Sequence, residues 1–217
     1  MHTFTPVTGI HRIGDGYKIQ SGERSWTAPV VVNVAGPWIT EISRTGRNPH
    51  TDVPCVAIQM ARDRAGPAPV MHHLVQHIGE GMSVKQVSAG NLLIGGGWPA
   101  ARLDMAGRST VSVPSMVGNL AQAGRILPFL GDLRLLRMWA GPLAATPDEM
   151  PVIGEVPGHP GFFVAGGTYA FTLAPVWGDT LARQISGEPP AAPVDDLGPG
   201  RLLHHATIPA PRKATAP

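Results

Sequence analysis

A single cysteine, Cys55, occurs among the 217 residues. One thiol excludes an internal disulfide and any metal centre built on several cysteines. Charge is also scarce. Asp, Glu, Lys and Arg make up 15% of the chain, the net charge is +2, and no basic block is present. The sequence therefore lacks the electrostatic footprint of a nucleic-acid binder. No run of about eighteen apolar residues occurs, so no segment reads as a transmembrane helix. Met1 to Pro6 lack the charged and apolar regions of a secretory signal. These absences lead to the expectation of a soluble, cytoplasmic protein. Familiar catalytic signatures are missing too. Ser88 and Ser115 have no Gly-x-Ser-x-Gly context, and Gly95-Gly96-Gly97 is not followed by Gly-Lys-Ser/Thr.

What is abundant is glycine (27) and proline (23), with 43% hydrophobic residues. The first two predict many turns and short elements. The third is enough for a real core. The chain opens as a β-meander. Gly9–Ile13 and Tyr17–Ser21 flank Gly14-Asp15-Gly16, and Gly22-Glu23-Arg24 is a second turn. Pro29 to Ala35 is a β-branched run, predicted as a strand buried on both faces. It ends in Gly36-Pro37-Trp38, and a helix is expected from Ile39 to Ser43. The middle reads as strands at Val53–Met60, Met82–Val87, Asn91–Gly95 and Leu133–Trp139. A helix over 111–127 carries Val113, Val117, Leu120 and Leu127 at helical spacing. Together these suggest an antiparallel sheet with a covering helix. The Pro- and Ala-rich tail from Glu188 has little to bury and is expected to be disordered or draped over the surface.

The most informative stretch runs from Gly161 to Pro175, GFFVAGGTYAFTLAP. An apolar strand enters a glycine pair, and a helix follows. Thr172 is the expected N-cap and Pro175 lies in the expected first turn. Leu173, Val176, Trp177, Leu181 and Ile185 recur at helical spacing, and Gly187 stops the helix. A strand, a glycine turn and a helix N-terminus make a place for phosphate or an electron-rich ring edge. Gly36-Pro37-Trp38 is a second such junction, and two of them can converge on one ligand beyond the strand ends.

Other candidates fit plainer readings. His72, His73 and His77 lack the carboxylate spacing of a metal site, and Glu80 alone does not complete one. His204 and His205 lie in the tail. Cys55 reads as a small core residue, and Asp148 as a turn aspartate between prolines. Arg137 and Trp139 share one face of a strand, where an arginine can clamp a carboxylate or lie over the surface.

Taken in order, the segments form a series. They are Val30 to Trp38, Lys85-Gln86, Gly90 to Trp98, Arg137 to Gly141, Thr146 to Gly154, and Gly161 to Pro175. The series resembles the C-terminal half to two-thirds of the FAD-dependent D-amino-acid oxidase superfamily. Within it the likeness is to the sarcosine oxidase β-subunit, opine oxidase and hydroxyproline dehydrogenase group. The resemblance implies a mixed α+β and α/β fold: an incomplete Rossmann-like FAD-binding domain plus an antiparallel-sheet substrate lobe. It implies residues 1–53 and 141–187 in the FAD domain, 54–140 in the substrate lobe, and 188–217 as the tail. The implied cofactor is FAD, facing Gly36, Pro37, Trp38, Gly166, Gly167, Thr168, Tyr169, Phe171 and Thr172. The implied substrate is an amine or amino acid, walled by Lys85, Gln86, Arg137 and Trp139 and oxidised at its C–N bond by hydride loss to an imine. No metal is implied.

The departures from the family pattern are specific. The glycine-rich Gly-x-Gly-x-x-Gly unit that anchors the dinucleotide is absent from these residues. That implies a truncated or split enzyme, with an N-terminal half or other subunits as partners. A non-catalytic subunit and a degenerate fragment are the alternatives. No arginine follows Trp139-Ala140-Gly141, where several relatives carry a carboxylate-binding one, and Gly141 stands nearest the place of their flavin-linking cysteine. Ala170 occupies the place of a family glycine, which would matter if that position needs positive φ. No catalytic acid or base is assigned.

Overall fold

The computed structural model describes residues 1–45, 70–104 and 109–203, together with the backbone of the strand at 55–64. These residues form two units. One takes residues 1–45 and 144–203, and the other takes the described residues between 56 and 143.

In the first unit, β1 (Gly9–Ile13), β2 (Gly16–Ser21) and β3 (Arg24–Ala28) form an antiparallel meander. Ile13 pairs with Gly16 and Ser21 with Arg24, so both turns are two residues long. Gly14 and Gly22 lead them with φ of 55° and 57°, as a type II′ turn requires. Tyr17 anchors the meander. Its ring is fully buried 5.7 Å from that of Phe162, and its hydroxyl donates to the Pro160 carbonyl at 3.0 Å.

A second sheet has the order β10 (Pro151–Glu155), β11 (Phe162–Gly167), β4 (Val31–Asn33). β11 is central, antiparallel to β10 and parallel to β4. All six of its residues are buried, which is why its sequence is an unbroken apolar run. Phe162 and Val164 face a core with Ile10, Tyr17 and Ile39. Phe163 and Ala165 face Trp177 and Leu181 of α3 (Ala170–Ile185).

The expectation of a strand over 29–35 buried on both faces is corrected. β4 is three residues long and stands at the sheet edge, with Val32 exposed and Val34 62% exposed. The buried residue is polar. Asn33 Nδ2 donates to the Ile39 carbonyl at 2.8 Å and to Ser43 Oγ at 3.0 Å, and Oδ1 accepts the Ala35 N–H at 3.1 Å. It thereby fixes α1 (Ile39–Arg44), which follows a 3-10 turn at Gly36–Trp38. High β propensity marked this run as strand. No second neighbour for β4 occurs among the described residues.

Of the two expectations for the tail, disorder fails over its described part. Residues 188–203 are packed, with 3-10 turns at Asp195–Leu197 and Pro199–Leu202 and with Val194 and Leu202 buried. Two apolar anchors outweigh the proline-rich composition. His204, His205 and the rest of the tail lie outside the described residues.

The second unit is a five-stranded sheet. Its order is β6 (Val75–His77), β7 (Met82–Gln86), β8 (Asn91–Gly96), β5 (Cys55–Arg64), β9 (Leu135–Ala144). The expected strand at 53–60 starts at Cys55 and runs further, and Val53 lies outside the described residues. One face of β7 and β8, carrying Met82, Val84, Leu92 and Ile94, packs with α2 (Val113–Ile126). The helix buries Ser115, Asn119 and Ala123, whereas Val113 and Val117 are exposed. Of the four residues at apolar spacing, Leu120 and Leu127 pack against this core and the two valines do not. Small residues allow a close approach, and Asn119 is satisfied by the Gly95 carbonyl at 3.3 Å. Gly118 has the same logic: a Cβ there would lie 2.3 Å from Trp98 Cη2.

Candidate functional site

β4 and β11 are parallel neighbours, with Val31 opposite Phe162 and Asn33 opposite Val164. Their carboxyl ends therefore open side by side. β4 leads through Gly36-Pro37-Trp38 into α1, and β11 leads through Gly167-Thr168-Tyr169 into α3. The two junctions touch. A Cβ on Gly166 would stand 3.1 Å from Cδ1 of Ile39, the fully buried first residue of α1. Ligands of open α/β sheets gather beyond such adjacent strand ends.

The turn before α3 differs in detail from the sequence expectation. Gly167 has φ of 79°, and Tyr169 is left-handed at φ 60°, ψ 12°. Ala170 is already helical, so the positive φ falls on Tyr169 and not on the residue replacing the family glycine. Tyr169 takes the N-cap position and Thr172 lies inside the helix. Pro175 is also inside, in the second turn. The start has no side-chain cap and no acidic residue in its first turn. The first-turn N–H groups and the positive end of the helix dipole thus face the junction. The other end is closed as expected. Gly187 N–H donates to the Gln184 carbonyl and Glu188 N–H to the Arg183 carbonyl, a Schellman pair.

The surroundings suit a flat, partly anionic ring. Gly36 has φ of 55° and open space where a Cβ would stand. Phe171 is 97% exposed beside exposed Tyr169 and Thr172, and Pro37 and Trp38 are half-buried. Thr168 turns its side chain inward. Its Oγ1 accepts the Thr146 N–H at 3.1 Å and meets Thr146 Oγ1 at 3.0 Å. Thr146 Oγ1 in turn donates to the Met150 carbonyl, which leaves the Thr168 hydroxyl to donate between the pair. Nothing in the spacing of Thr146 and Thr168 pointed to this tie.

In the second unit, Lys85 and Gln86 are adjacent on β7 and so lie on opposite faces. Met82 and Val84 define the helix-covered face, which puts Lys85, exposed, on the other one. Gln86 is spent on the fold. Its Oε1 accepts the N–H groups of Val70 and Met71 at 2.8 and 3.0 Å, and its Nε2 donates to the Gly90 carbonyl at 3.1 Å. Arg137 is exposed and Trp139 half-buried on β9. His72 and His73 are exposed, and His77 Nδ1 accepts the Glu80 N–H at 3.1 Å in a turn. Among the described residues, no group of three or more His, Cys, Asp or Glu is placed to hold a metal ion.

Asp148, beside the Thr146–Thr168 tie, and His159, in the turn at the other end of β11, titrate away from their ordinary values. Burial alone would raise the Asp148 pKa. The hydrogen bond and charge of Arg201, the Met150 N–H and the Thr146 hydroxyl outweigh it and hold the carboxyl below its ordinary value. Burial, followed by the Arg12 charge, pushes His159 down, and its Nδ1 is buried with no partner among the described residues.

Comparison with known proteins defines the class. The family model of FAD-dependent oxidoreductases (DAO) matches residues 1–184, and the chain belongs to that family. FAD is the cofactor of the family. Glycine oxidase of Geobacillus kaustophilus is 26% identical over 208 residues, which cover 94% of this chain and 52% of that protein. The hydrogen cyanide synthase subunit HcnC of Pseudomonas aeruginosa is 29% identical over 94% of this chain and 44% of its own length. Among solved structures, L-proline dehydrogenase from P. horikoshii superposes with a TM-score of 0.80 at 23% identity, over 91% of this chain and 54% of that one. The last likeness concerns the fold. The chain thus spans about half the length of these relatives. No helix among the described residues is long and apolar enough to cross a membrane.

Proposed function

We propose that this chain forms the flavin-ring side of an FAD-dependent oxidoreductase acting on an amine or amino acid. The observation that carries the reading is the pair of glycine junctions at adjacent parallel strand ends, one opening onto an uncapped helix. Gly36, Pro37, Trp38, Gly166, Gly167, Thr168, Tyr169, Phe171 and Thr172 would hold the cofactor. When bound, FAD would supply the hydride acceptor for oxidation at the carbon that bears the nitrogen. The α3 N-terminus donates N–H groups toward negative charge at the ring edge. Tyr169 and Phe171 shield the ring from water. Lys85, on the sheet face opposite α2, and Arg137, on β9, are candidate cations for a substrate carboxylate, with Trp139 as a candidate apolar wall. The single cysteine suits a reducing cytoplasm.

A second observation favours a partner that completes the fold. Val31 N–H bonds the Gly161 carbonyl at 2.8 Å, so Val31 and Asn33 address β11. Val32, which alternates with them, turns its backbone groups to the outer edge, and the side chains of Val32 and Val34 are exposed apolar surface. Parallel strands are rarely left in that state. The edge fits an added strand from the remainder of the FAD domain, in the same polypeptide or in another subunit. HcnC is by name a subunit.

The function is tested by loading the chain with FAD and adding glycine, sarcosine, proline or D-amino acids anaerobically. Bleaching of the flavin by at least one of them is expected. Bound flavin that none of them reduces would overturn the substrate class.

A further inference from the structure

The segment after α3 ends in an arginine that grips a different loop. Arg201 Nε donates to Asp148 Oδ2 at 2.7 Å. Its Nη2 donates to the carbonyls of Met150 and Pro151 at 2.9 and 2.6 Å, and lies 3.5 Å from Asp148 Oδ1. Its Nη1 donates to the carbonyls of Leu197 and Gly198 at 2.7 and 3.1 Å. All three nitrogens are used, and the guanidinium side chain is only 20% exposed. A planar fork with several charge-assisted bonds fixes its partners in one arrangement.

The gripped loop is the one that holds the glycine turn. Asp148 Oδ1 accepts the Met150 N–H at 3.0 Å, which shapes the loop around residue 149. Met150 uses its carbonyl for both Arg201 and the Thr146 hydroxyl. Thr146 is tied by N–H and hydroxyl to Thr168, and its Cγ2 occupies the space beside Gly167, 2.7 Å from where a Cβ would stand. Pro151 pairs with Gly167 across the β10–β11 ladder. The connected path is Arg201, Asp148 and Met150, Thr146, Thr168, and then left-handed Tyr169 at the head of α3.

We infer that Arg201 is a positioning residue for the glycine turn: the C-terminal segment sets the geometry of the α3 N-terminus through this relay. The consequence is reciprocal. A ligand that orders the turn also orders the segment that carries Arg201. The flavin arm of the test rests on the proposed function, whereas the exchange arm does not.

The experiment compares amide exchange, by mass spectrometry, in the full chain and in its R201A, R201K and T168A variants. Arg201→Ala removes charge-assisted bonds, so exchange in the first hydrogen-bonded turn of α3, from Leu173 (N–H to the Tyr169 carbonyl), is expected to rise about tenfold, with α2 in the other unit unchanged. Lys cannot reproduce the fork, so R201K is expected to resemble R201A. Thr168→Ala cuts the far end of the relay, so it should loosen the turn and, by the same coupling, also raise exchange in 194–203. A plain tail staple predicts faster exchange in 194–203 alone in R201A, and that result would overturn the inference. Should R201A fail to fold, Asp148→Asn removes the ion pair at constant volume and is read in the same way. FAD, titrated by flavin fluorescence, should bind about tenfold more weakly to R201A. Wild-type chain that binds no FAD counts against the proposed function, while the exchange result still decides the relay.

Discussion

Gly167→Ala is the sharpest structural test of the site. The residue has φ of 79°, where an L-residue costs about 1–2 kcal/mol. The new Cβ would lie 2.7 Å from Thr146 Cγ2. Thr146 is 3% exposed and cannot rotate away without losing its bonds to Thr168 and Met150. Overpacking of that kind costs about 1–3 kcal/mol. The stiffer unfolded chain returns about 0.4–1 kcal/mol. The net loss is about 3 kcal/mol by those figures. For a chain of this size it lowers the unfolding midpoint by about 6–12 °C, measured by circular dichroism. Thr146→Ser removes Cγ2 and keeps the hydroxyl. The double variant G167A/T146S should therefore regain the clash component and retain the φ cost. A G167A chain within about 0.5 kcal/mol of wild type, the range of ordinary surface changes, would refute the reasoning.

Further outcomes follow from the same geometry. Gly118→Ala should destabilise by about 1–3 kcal/mol, since its Cβ meets the Trp98 ring. In a Trp98→Leu background the sign should reverse, because alanine is the better helix former by about 1 kcal/mol; denaturant titration of the four chains reads the cycle. The Asp148 carboxyl is held below its ordinary value. Its share of stability is therefore whole above about pH 4 and lost as pH falls through the lower folded value; Asp148→Asn should flatten that acid limb. His159 is also held below its ordinary value. Its share is whole above about pH 6.5 and declines as pH drops below that, and His159→Gln should remove this slope in a pH series of unfolding midpoints.

The sequence made strands and turns legible wherever pattern and chemistry agreed. Glycine-containing turns placed β1, β2 and the 82–96 hairpin, and the unbroken run Phe162–Ala165 marked a strand. It misled wherever propensity spoke without its partners. The Val30–Val34 run reads as interior strand, but burial depends on a neighbour that the described residues do not include. Spacing groups Val113 and Val117 with Leu120, yet only Leu120 joins Ser115, Asn119 and Ala123 on the packed side of α2, where small side chains allow close approach. At the candidate site the junction residues could be named from the glycine pattern. Gln86 could not be separated from Lys85, since only the pleat puts them on opposite faces. The Thr146–Thr168 tie and the Arg201 grip were invisible, because they join residues 22 and 53 positions apart through side-chain geometry. No local pattern encodes such a contact.

The central claim is that the two glycine junctions hold a flavin ring. Titrating the folded chain with FAD and, separately, with FMN while recording the visible spectrum tests it most directly. A saturable perturbation is expected with both cofactors, and with similar affinity. The junctions proposed to face the ring are present in this chain, whereas the glycine-rich unit that anchors pyrophosphate and adenosine is not among its residues. A folded chain whose addition leaves both flavin spectra unchanged would contradict the account.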